Sequence, residues 1–216
     1  MPAIIVSEDF TASNGTALQG LVPDVGPAYC NAPSNYDIQS NRARQTGGTG
    51  LELAVWQSAY SNCIISTAFR WTAGSNYAVG LMCRYSDASN YWGVYMDGAP
   101  GQAGWGGLVI AEVNAGSYTQ RALAGSTYIS SGVDYQLVLT LSGTSISVNL
   151  LDAGGGQLAT TSYTSSFNQS ATQHGYLTYA PYGGTYQFDD FRITANRRIL
   201  IDGMLVNNST LLNGLA

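Results

Sequence analysis

Lysine is absent from this sequence of 216 residues, and all eight basic residues are arginines. Charged residues of both signs make up only 10% of the chain, and the formal net charge is −5. A protein that neutralises the phosphates of a nucleic acid needs a basic surface. The composition therefore argues against nucleic-acid binding, and it also argues against long helices with salt-bridged faces.

Long apolar runs are missing as well. Nowhere do about 18 consecutive apolar residues occur, so we expect no transmembrane helix and no membrane insertion. The first six residues contain no basic segment, and Ser7-Glu8-Asp9 ends the apolar run that they begin. We therefore expect no secretory signal peptide.

Cysteine and histidine are scarce, with Cys30, Cys63, Cys83 and His174 as their only members. They show no zinc-ligand spacing, and no serine or cysteine lies in a nucleophile elbow, so neither a zinc site nor a Ser/His/Asp site is indicated. Reduced core cysteines are the preferred interpretation. The alternative is that Cys63 and Cys83 face each other across a hairpin.

The stretch from Ser75 to Asp97 is typical of a β-hairpin. Apolar and small residues alternate from Tyr77 to Tyr85 with the period of two that a sheet strand shows. The segment Ser86–Asn90 consists of turn-forming residues, and Tyr91–Met96 is rich in aromatic and β-branched side chains. We predict two antiparallel strands joined by a short polar turn.

Similar short segments follow one another along the chain, which is also rich in glycine (26 residues) and tyrosine (15 residues). Together with the hairpin they predict about thirteen strands, no helix and no repeat. The other clear strand segments are Ile4–Phe10, Leu51–Trp56, Asn62–Thr72, Trp105–Val113, Tyr118–Leu123, Tyr135–Leu141, Ile146–Leu150, Gln157–Tyr163, Gly175–Tyr179 and Tyr186–Ile193. Strands at this spacing indicate two packed antiparallel sheets.

Three phrases resemble the concanavalin A-like lectin/glucanase superfamily, including its laminin-G-like members. VGLMCRYSDASNYWGVYM looks like the central hairpin of that family, DYQLVLTLSGTSISVNLLDAGG like a later hairpin, and YQFDDFRIT like the closing strand. The resemblance covers about residues 1–194. It implies an all-β, two-sheet antiparallel jelly-roll sandwich, with residues 195–216 as a C-terminal extension. Its members include sugar binders, hydrolases and attachment modules, so it does not fix an activity.

Paired acids for sugar hydrolysis are not visible. The related retaining enzymes place carboxylates about 5–5.5 Å apart, in a Glu-x-Asp-x-x-Glu pattern on one strand. This chain has three glutamates, Glu8, Glu52 and Glu112, which lie far apart without a second acid in register. We therefore expect no enzymatic activity.

Sugar binding is the stronger possibility, because aromatic faces stack on pyranose rings and polar side chains at a pocket rim bind their hydroxyls. The candidate glycan-binding residues are Arg84, Asn90, Trp92, Tyr95, Asp97 and Trp105. They lie on or near the central hairpin and the Gly98–Gly104 loop. The alternative is that aromatic residues at alternate strand positions fill the core, and a regular strand turns at most half of them outward.

A structural calcium ion is a further possibility. The family resemblance pairs the first strand with the last, which would bring Glu8 and Asp9 on the first strand close to Asp189 and Asp190 on the last. Carboxylate oxygens there would suit Ca²⁺. The alternative is that the pleat sends one acid of each neighbouring pair to solvent and the other to a turn amide.

The extension departs from the family pattern. Asp202-Gly203 between two apolar triplets predicts a type I′ hairpin. This hairpin has apolar residues on both faces: Ile199, Leu200, Ile201, Met204, Leu205 and Val206. Exposed, such a surface would favour aggregation. It therefore predicts either docking on the same subunit or an assembly interface, and we favour assembly.

Two functions remain. The first is a non-enzymatic virion protein, such as a capsid decoration or tail-fibre component of a bacteriophage. It would form homo-oligomers, contact other virion proteins and host glycans, and lie on the virion surface after assembly in the host cytoplasm. The second is a soluble, extracellular carbohydrate-binding module. An enzyme is a distant third.

Overall fold

The structure is a computed structural model of the chain. It describes residues 3–27, 29–31, 35–47, 50–72, 77–98, 106–125, 127–179, 184–196, 199–201 and 204–206. These ranges contain strands, turns and loops but no helix, and hence none long enough to cross a bilayer. The predicted all-β class is confirmed.

The strands follow one another with short connections over most of the chain. In chain order they are β1 (Ile4–Glu8), β2 (Tyr29–Asn31), β3 (Tyr36–Ile38), β4 (Ala43–Gln45), β5 (Leu51–Gln57), β6 (Cys63–Thr72), β7 (Tyr77–Asp87), β8 (Asn90–Gly98), β9 (Gly107–Asn114), β10 (Ser117–Gly125), β11 (Tyr135–Ser142), β12 (Ser145–Asp152), β13 (Gln157–Thr164), β14 (Gln173–Tyr179), β15 (Thr185–Ala195), β16 (Ile199–Ile201) and β17 (Met204–Val206).

Two antiparallel sheets form a sandwich, as predicted. Sheet I has the order β13-β12-β11-β6-β15-β4-β3, and β1 also pairs with β15. Sheet II has the order β10-β9-β8-β7-β14-β5-β2. The pairing of the first strand with β15 agrees with the family resemblance.

The two sheets differ in how their outer faces are covered. Strands β6 and β11 of sheet I alternate strictly between buried and partly exposed positions, so one face packs on the core and the other meets solvent. In sheet II, by contrast, β8 is buried at all six positions from Tyr91 to Met96. The outer face of sheet II therefore carries its own apolar layer.

Aromatic pairs hold the two sheets together. The rings of Trp56 in β5 and Phe191 in β15 stack with their centroids 4.1 Å apart. Tyr176 in β14 stacks on Phe188 in β15 at 3.9 Å. All four rings are fully buried, and each pair joins sheet II to sheet I, so the centre of the core lies against β15.

The predicted central hairpin is confirmed as β7 and β8. Its turn is Ala88-Ser89, and the Asp87 carboxylate accepts hydrogen bonds from the Ser89 amide N–H (2.8 Å) and the Asn90 side chain (2.9 Å). The pairing register shifts between Cys83 and Asp87, which marks a β-bulge at the end of β7. This bulge gives Arg84, one of the predicted site residues, a different side-chain direction from the one it would have in a regular strand.

The C-terminal hairpin also forms at the backbone level. β16 and β17 pair antiparallel, with Ile199 opposite Val206 and Ile201 opposite Met204. Among the described strands they pair only with each other. The turn 202–203 and the side chains of the hairpin lie outside the described residues, so the assembly role of residues 195–216 stays a prediction.

Cys63 and Cys83 face the core from opposite sheets, not from partner strands of one hairpin. Both thiols are free and fully buried, and burial raises the pKa of Cys83 to about 12. They are therefore protonated core side chains. The side chain of Cys30 lies outside the described residues.

Candidate functional site

The strand β8 has one face in the core and the other on the outer surface of sheet II. Trp92, Val94 and Met96 belong to the core cluster between the sheets. Tyr91 and Tyr95 belong to a separate apolar cluster on the outer face. This division follows from the period of two along a strand.

A glycine opens space in the middle of that outer face. Gly93 pairs with Met82 on one side and Ala111 on the other, so three neighbouring strands present small or flexible side chains there. A Cβ atom at position 93 would lie 3.2 Å from Leu177 Cδ1 and 3.3 Å from Tyr95 Cε1. Gly93, which lacks this atom, therefore lies at the floor of a groove beside these two side chains.

The groove has a volume of about 560 Å³. That size is within the range of about 300–1,000 Å³ typical of small-molecule sites. Its walls are mainly apolar, and the larger side chains that line it are Leu51, Tyr91, Tyr95, Tyr118, Leu177 and Tyr179. A ligand with an apolar face that can pack against tyrosine rings fits this lining.

The tyrosines divide into a buried base and an exposed rim. Tyr91 and Tyr95 are nearly buried, whereas Tyr118 is 55% and Tyr179 is 44% exposed. The hydroxyl oxygens of Tyr95 and Tyr118 lie 2.7 Å apart, which fixes the rim ring relative to the base. Burial raises the pKa of Tyr91 to about 12 and also raises that of Tyr95, so both hydroxyls are protonated donors.

Asp97 supplies the one carboxylate among the described lining residues of the groove. It follows the last core-facing residue of β8 and pairs with Ala78 in β7. Partial burial raises the pKa of its carboxyl group above the ordinary value of 3.8. Its oxygens can accept hydrogen bonds from ligand hydroxyls.

Two of the predicted glycan-binding residues are thus on the groove: Tyr95 and Asp97. Their role in binding stays a prediction. Asn90 has another role, because its Nδ2 donates to Asp87 and its Oδ1 accepts the amide N–H of Ala115 at 3.1 Å. Trp105 lies outside the described residues.

The structure contradicts the placement of Trp92 at the ligand surface. Its ring is fully buried in the core, and its Nε1–H donates to the carbonyl oxygen of Phe167 at 3.0 Å. The ring also lies against Tyr163 and Phe167, with centroid distances of 5.8 and 6.0 Å. Trp92 is therefore a core residue without a face for a sugar.

Arg84 is also misplaced by the sequence prediction, because it lies in the bulge of β7. Its φ of 49° is in the left-handed region, and its side chain is fully buried instead of lying at the rim. The guanidinium reaches sheet I, where Nη2 donates to the carbonyl oxygen of Gly143. Burial lowers the pKa of Arg84. It is a buried structural cation between the sheets.

Several groove residues were not site candidates in the sequence analysis, among them Tyr118, Leu177 and Tyr179. Alternation within β10 and β14 assigns each of them to a face. Only the pairing of Tyr118 with Val113, and of Leu177 with both Gly80 and Leu53, places those faces beside Tyr95. Such register between distant segments is not visible in a single sequence.

The three glutamates lie in different surroundings. Glu52 accepts a hydrogen bond from Asn35 Nδ2 at 2.8 Å, and Glu112 pairs with Arg121 at 3.1 Å. Glu8 ends β1 in the other sheet. None of the three lines the described part of the groove.

The acids predicted to bind calcium are arranged differently from the expectation. Asp9 lies close to Glu8 and Asp24, with carboxylate oxygens within 4.8 Å of one another. Asp189 instead lies 3.6 Å from the guanidinium of Arg42. The acidic group is thus formed by β1 and the connection that follows it.

No family model matches the sequence, and no curated protein matches it. Solved structures do share its fold. The carbohydrate binding module CBM66 from Bacillus subtilis has a TM-score of 0.59 at 15% identity, over 77% of this chain and 94% of the module. A xylan beta-1,4-xylosidase from Bacillus halodurans C-125 has a TM-score of 0.63 at 16% identity, over 87% of this chain.

The chain spans 38% of the length of that xylosidase. A third similar structure is the CBM2 module of the evolved Dit of Lactobacillus casei BL23 phage J-1, with a TM-score of 0.54 at 10% identity. It aligns over 88% of this chain and 94% of the module. At these identities the comparisons establish a shared β-sandwich fold.

Proposed function

We propose that this chain is a carbohydrate-binding domain without catalytic activity, and that its ligand is a glycan bound in the groove on the outer face of sheet II. The observation that carries the proposal is the groove itself. It combines exposed tyrosine rings, protonated tyrosine hydroxyls and one carboxylate around a glycine floor. Ring faces pack on the C–H face of a pyranose, and the polar groups bind its hydroxyls.

The similar structures support this proposal. CBM66 from Bacillus subtilis is itself a carbohydrate binding module, and it aligns over nearly its whole length. The xylosidase acts on xylan as a whole enzyme, but this chain corresponds to 38% of it. Both likenesses fit a domain that binds sugar polymers.

The arrangement of acids favours binding over hydrolysis. A retaining glycosidase needs two carboxylates about 5–5.5 Å apart, and an inverting one needs them about 6.5–9.5 Å apart. The described groove residues offer Asp97 alone, and Glu52 and Glu112 are engaged elsewhere. A single carboxylate can orient a sugar without cleaving it.

We further propose that the domain serves attachment on a virion, as a homo-oligomer whose hairpin β16–β17 contacts another subunit or another virion protein. The phage Dit module has the same fold and aligns over most of both chains. The backbone of the hairpin pairs with no other described strand, so it is available for an interface. The alternative remains a soluble extracellular module.

Glycan binding is tested with a glycan array, followed by calorimetry on each ligand found. The double variant Tyr118→Ala/Tyr179→Ala removes the two exposed rings of the groove, and we expect it to weaken binding at least about 10-fold. The matched control is Tyr60→Ala. Tyr60 is also exposed, but it follows the end of β5 that is opposite to Leu51, the β5 residue that lines the groove.

An array without any ligand would overturn the proposal. Full affinity in the double variant would move the site away from the groove. Release of reducing sugar from a bound polysaccharide would contradict the absence of catalysis.

A further inference from the structure

Three carboxylates come together where the edge of sheet I meets the connection after β1. Glu8 is the last residue of β1, Asp9 follows it, and Asp24 lies further along the connection. Each offers one carboxylate oxygen, and these oxygens lie within 4.8 Å of one another. Three like charges at this separation repel each other unless a cation or protons lie between them.

Backbone pairing brings the distant member into the cluster. The amide N–H of Ser7 donates to the carbonyl oxygen of Val25 at 3.0 Å, and the N–H of Val25 donates back to Ser7 at 3.1 Å. This bridge fixes the residue before Glu8 against the residue after Asp24. The cluster is therefore built into the fold and does not depend on flexible side chains meeting.

Each carboxylate uses one oxygen in a local hydrogen bond. Glu8 Oε1 accepts the N–H of Phe10 at 2.7 Å, and Asp9 Oδ1 accepts the N–H of Thr11 at 3.2 Å. Asp24 Oδ2 accepts the N–H of Asp9 at 3.1 Å. The other oxygen of each group accepts no hydrogen bond from the residues that the structure describes, and the bonded oxygens orient the three side chains.

Oε2 of Glu8, the oxygen that does not bind Phe10, is the strongest indication that the cluster binds a ligand. Glu8 is only 4% exposed, and its Oε2 is buried without a hydrogen-bond partner among the described residues. A buried carboxylate oxygen without a partner is costly, and native proteins satisfy such atoms with a donor, water or ion. None of the ion pairs in the described part of the chain includes Glu8, Asp9 or Asp24.

We propose that Glu8, Asp9 and Asp24 bind one calcium ion, with Glu8 Oε2 as the buried ligand. Carboxylate oxygens are the ligands that hard cations take, and Ca²⁺ binds them at about 2.3–2.6 Å. Two ligands on opposite sides of one Ca²⁺ are thus about 4.6–5.2 Å apart, which accommodates the whole cluster. Mg²⁺, at about 2.0–2.1 Å, requires a tighter and strictly octahedral set.

The ion has a structural consequence. It joins the end of β1 to the connection that carries Asp24, and that connection otherwise meets β1 through the Ser7–Val25 bridge. The bound cation offsets the repulsion among the three carboxylates and holds the segment in place.

The test uses the full chain, dialysed against EDTA and then titrated with CaCl2 by calorimetry and by thermal unfolding. We expect one site per chain and a midpoint Tm that rises with the Ca²⁺ concentration. Asp24→Asn, at an exposed position, should weaken Ca²⁺ binding at least about 10-fold. Glu8→Gln should do the same, and Asp87→Asn, an exposed acid in the β7–β8 turn of sheet II, should leave binding unchanged.

The proposal is overturned if the wild-type chain shows neither heat nor a Tm shift up to about 10 mM Ca²⁺, a concentration above the weakest usual sites. It is also overturned if Asp24→Asn and Glu8→Gln bind as tightly as the wild type. An equal Tm shift with Mg²⁺ at the same concentration would contradict the assignment to calcium. Since Asp24 is exposed, its variant tests the site even if Glu8→Gln does not fold.

Discussion

Among single residues, His174 has the most unusual surroundings. It is fully buried at the start of β14, where its Nδ1 accepts the backbone N–H of Arg84 at 3.2 Å. Its Nε2 lies 2.8 Å from the carbonyl oxygen of Tyr60 and 3.5 Å from Cys63 Sγ. The carbonyl can only accept, so the ring is neutral with its proton on Nε2.

Protonation of His174 would break this arrangement, so the stability of the protein depends on pH through this residue. Burial, together with a smaller effect of the nearby Arg84 guanidinium, lowers the pKa of His174 from 6.5 to about 4. Between these two values the unfolded chain takes up a proton that the folded chain does not. The free energy of unfolding therefore falls as the pH drops from 6.5 towards 4, by up to about 3 kcal/mol.

The comparison with His174→Asn isolates this effect. The asparagine Oδ1 can still accept the Arg84 N–H but does not titrate. Urea unfolding at a series of pH values should give a wild-type curve that falls more steeply below pH 6.5 than that of the variant. Other titrating groups, such as Glu8, are common to both proteins and cancel in the difference. Parallel curves would show that His174 is not buried as a neutral ring.

At the scale of residues, the sequence prediction failed where a strand face had to be chosen. It named Trp92 and Tyr95 together as site candidates, although alternation along β8 puts Tyr91 and Tyr95 on one face and Trp92 on the other, as in the structure. The sequence does not say which set faces the core, because both faces of β8 are apolar and buried. The position of Arg84 was mispredicted for another reason. A bulge changes the direction of its side chain, and no residue type in the sequence indicates this bulge.

At the scale of strands, glycine decides how closely neighbouring backbones approach. Gly175 in β14 pairs with Val55 in β5 and with Met82 in β7. A Cβ atom at position 175 would overlap the backbone carbonyl oxygen of Ala54, which cannot move without displacing β5. At Gly93 the nearest atoms are instead the ends of the Leu177 and Tyr95 side chains.

These two glycines give a matched pair of substitutions in one sheet. We expect Gly175→Ala to destabilise the fold by about 3 kcal/mol, because overpacking against backbone has no easy relaxation. Gly93→Ala should change stability by less than about 1 kcal/mol, because flexible side chains can yield. Urea denaturation measures both. Equal stabilities would show that β5 and β14 tolerate a wider separation.

Gly93→Ala also has a functional consequence. Its new methyl group lies on the groove floor between Leu177 and Tyr95, so affinity for any glycan in the groove should fall while the fold persists. Calorimetry with the array ligand tests this. A folded Gly93→Ala variant with unchanged affinity would place the ligand elsewhere.

Strand prediction was good for local hairpins and poor for distant neighbours. The pairs β7–β8 and β11–β12 are joined by short turns, so turn residues and alternation together reveal them. The neighbours of β14 are β5 and β7, which precede it by about a hundred residues in the chain. Such pairings depend on the packing of the whole core, and they are what assembles the groove.

For the whole molecule, the sequence predicted two antiparallel sheets because the strand spacing and the scarcity of charge leave few alternatives. It did not predict that the outer face of sheet II is apolar and carries the groove. The carboxylate cluster for which we propose calcium binding is on the edge of sheet I. The proposed ligand and ion therefore belong to different sheets, and each can be removed without touching the residues of the other.

The oligomeric state is the remaining property of the whole molecule, and it tests the role of the C-terminal hairpin. β15 ends at Ala195, and β16 and β17 pair only with each other among the described strands. Truncation after Asn196 therefore removes no pairing from sheets I and II, and Asn196 keeps its hydrogen bond to Leu141. We expect the truncated chain to keep its circular dichroism spectrum and unfold within about 1 kcal/mol of the full chain.

Light scattering should show an oligomer for the full chain and a monomer for the truncated one if the apolar hairpin supplies the interface, as we propose. Leu200→Asp in the full chain serves as the companion variant, since a charge at an apolar interface should dissociate the subunits without shortening the chain. Tyr118→Ala, on the groove, should leave the mass unchanged. A full chain that is already monomeric, or a truncated chain of unchanged subunit number, would refute the assembly role of residues 199–206.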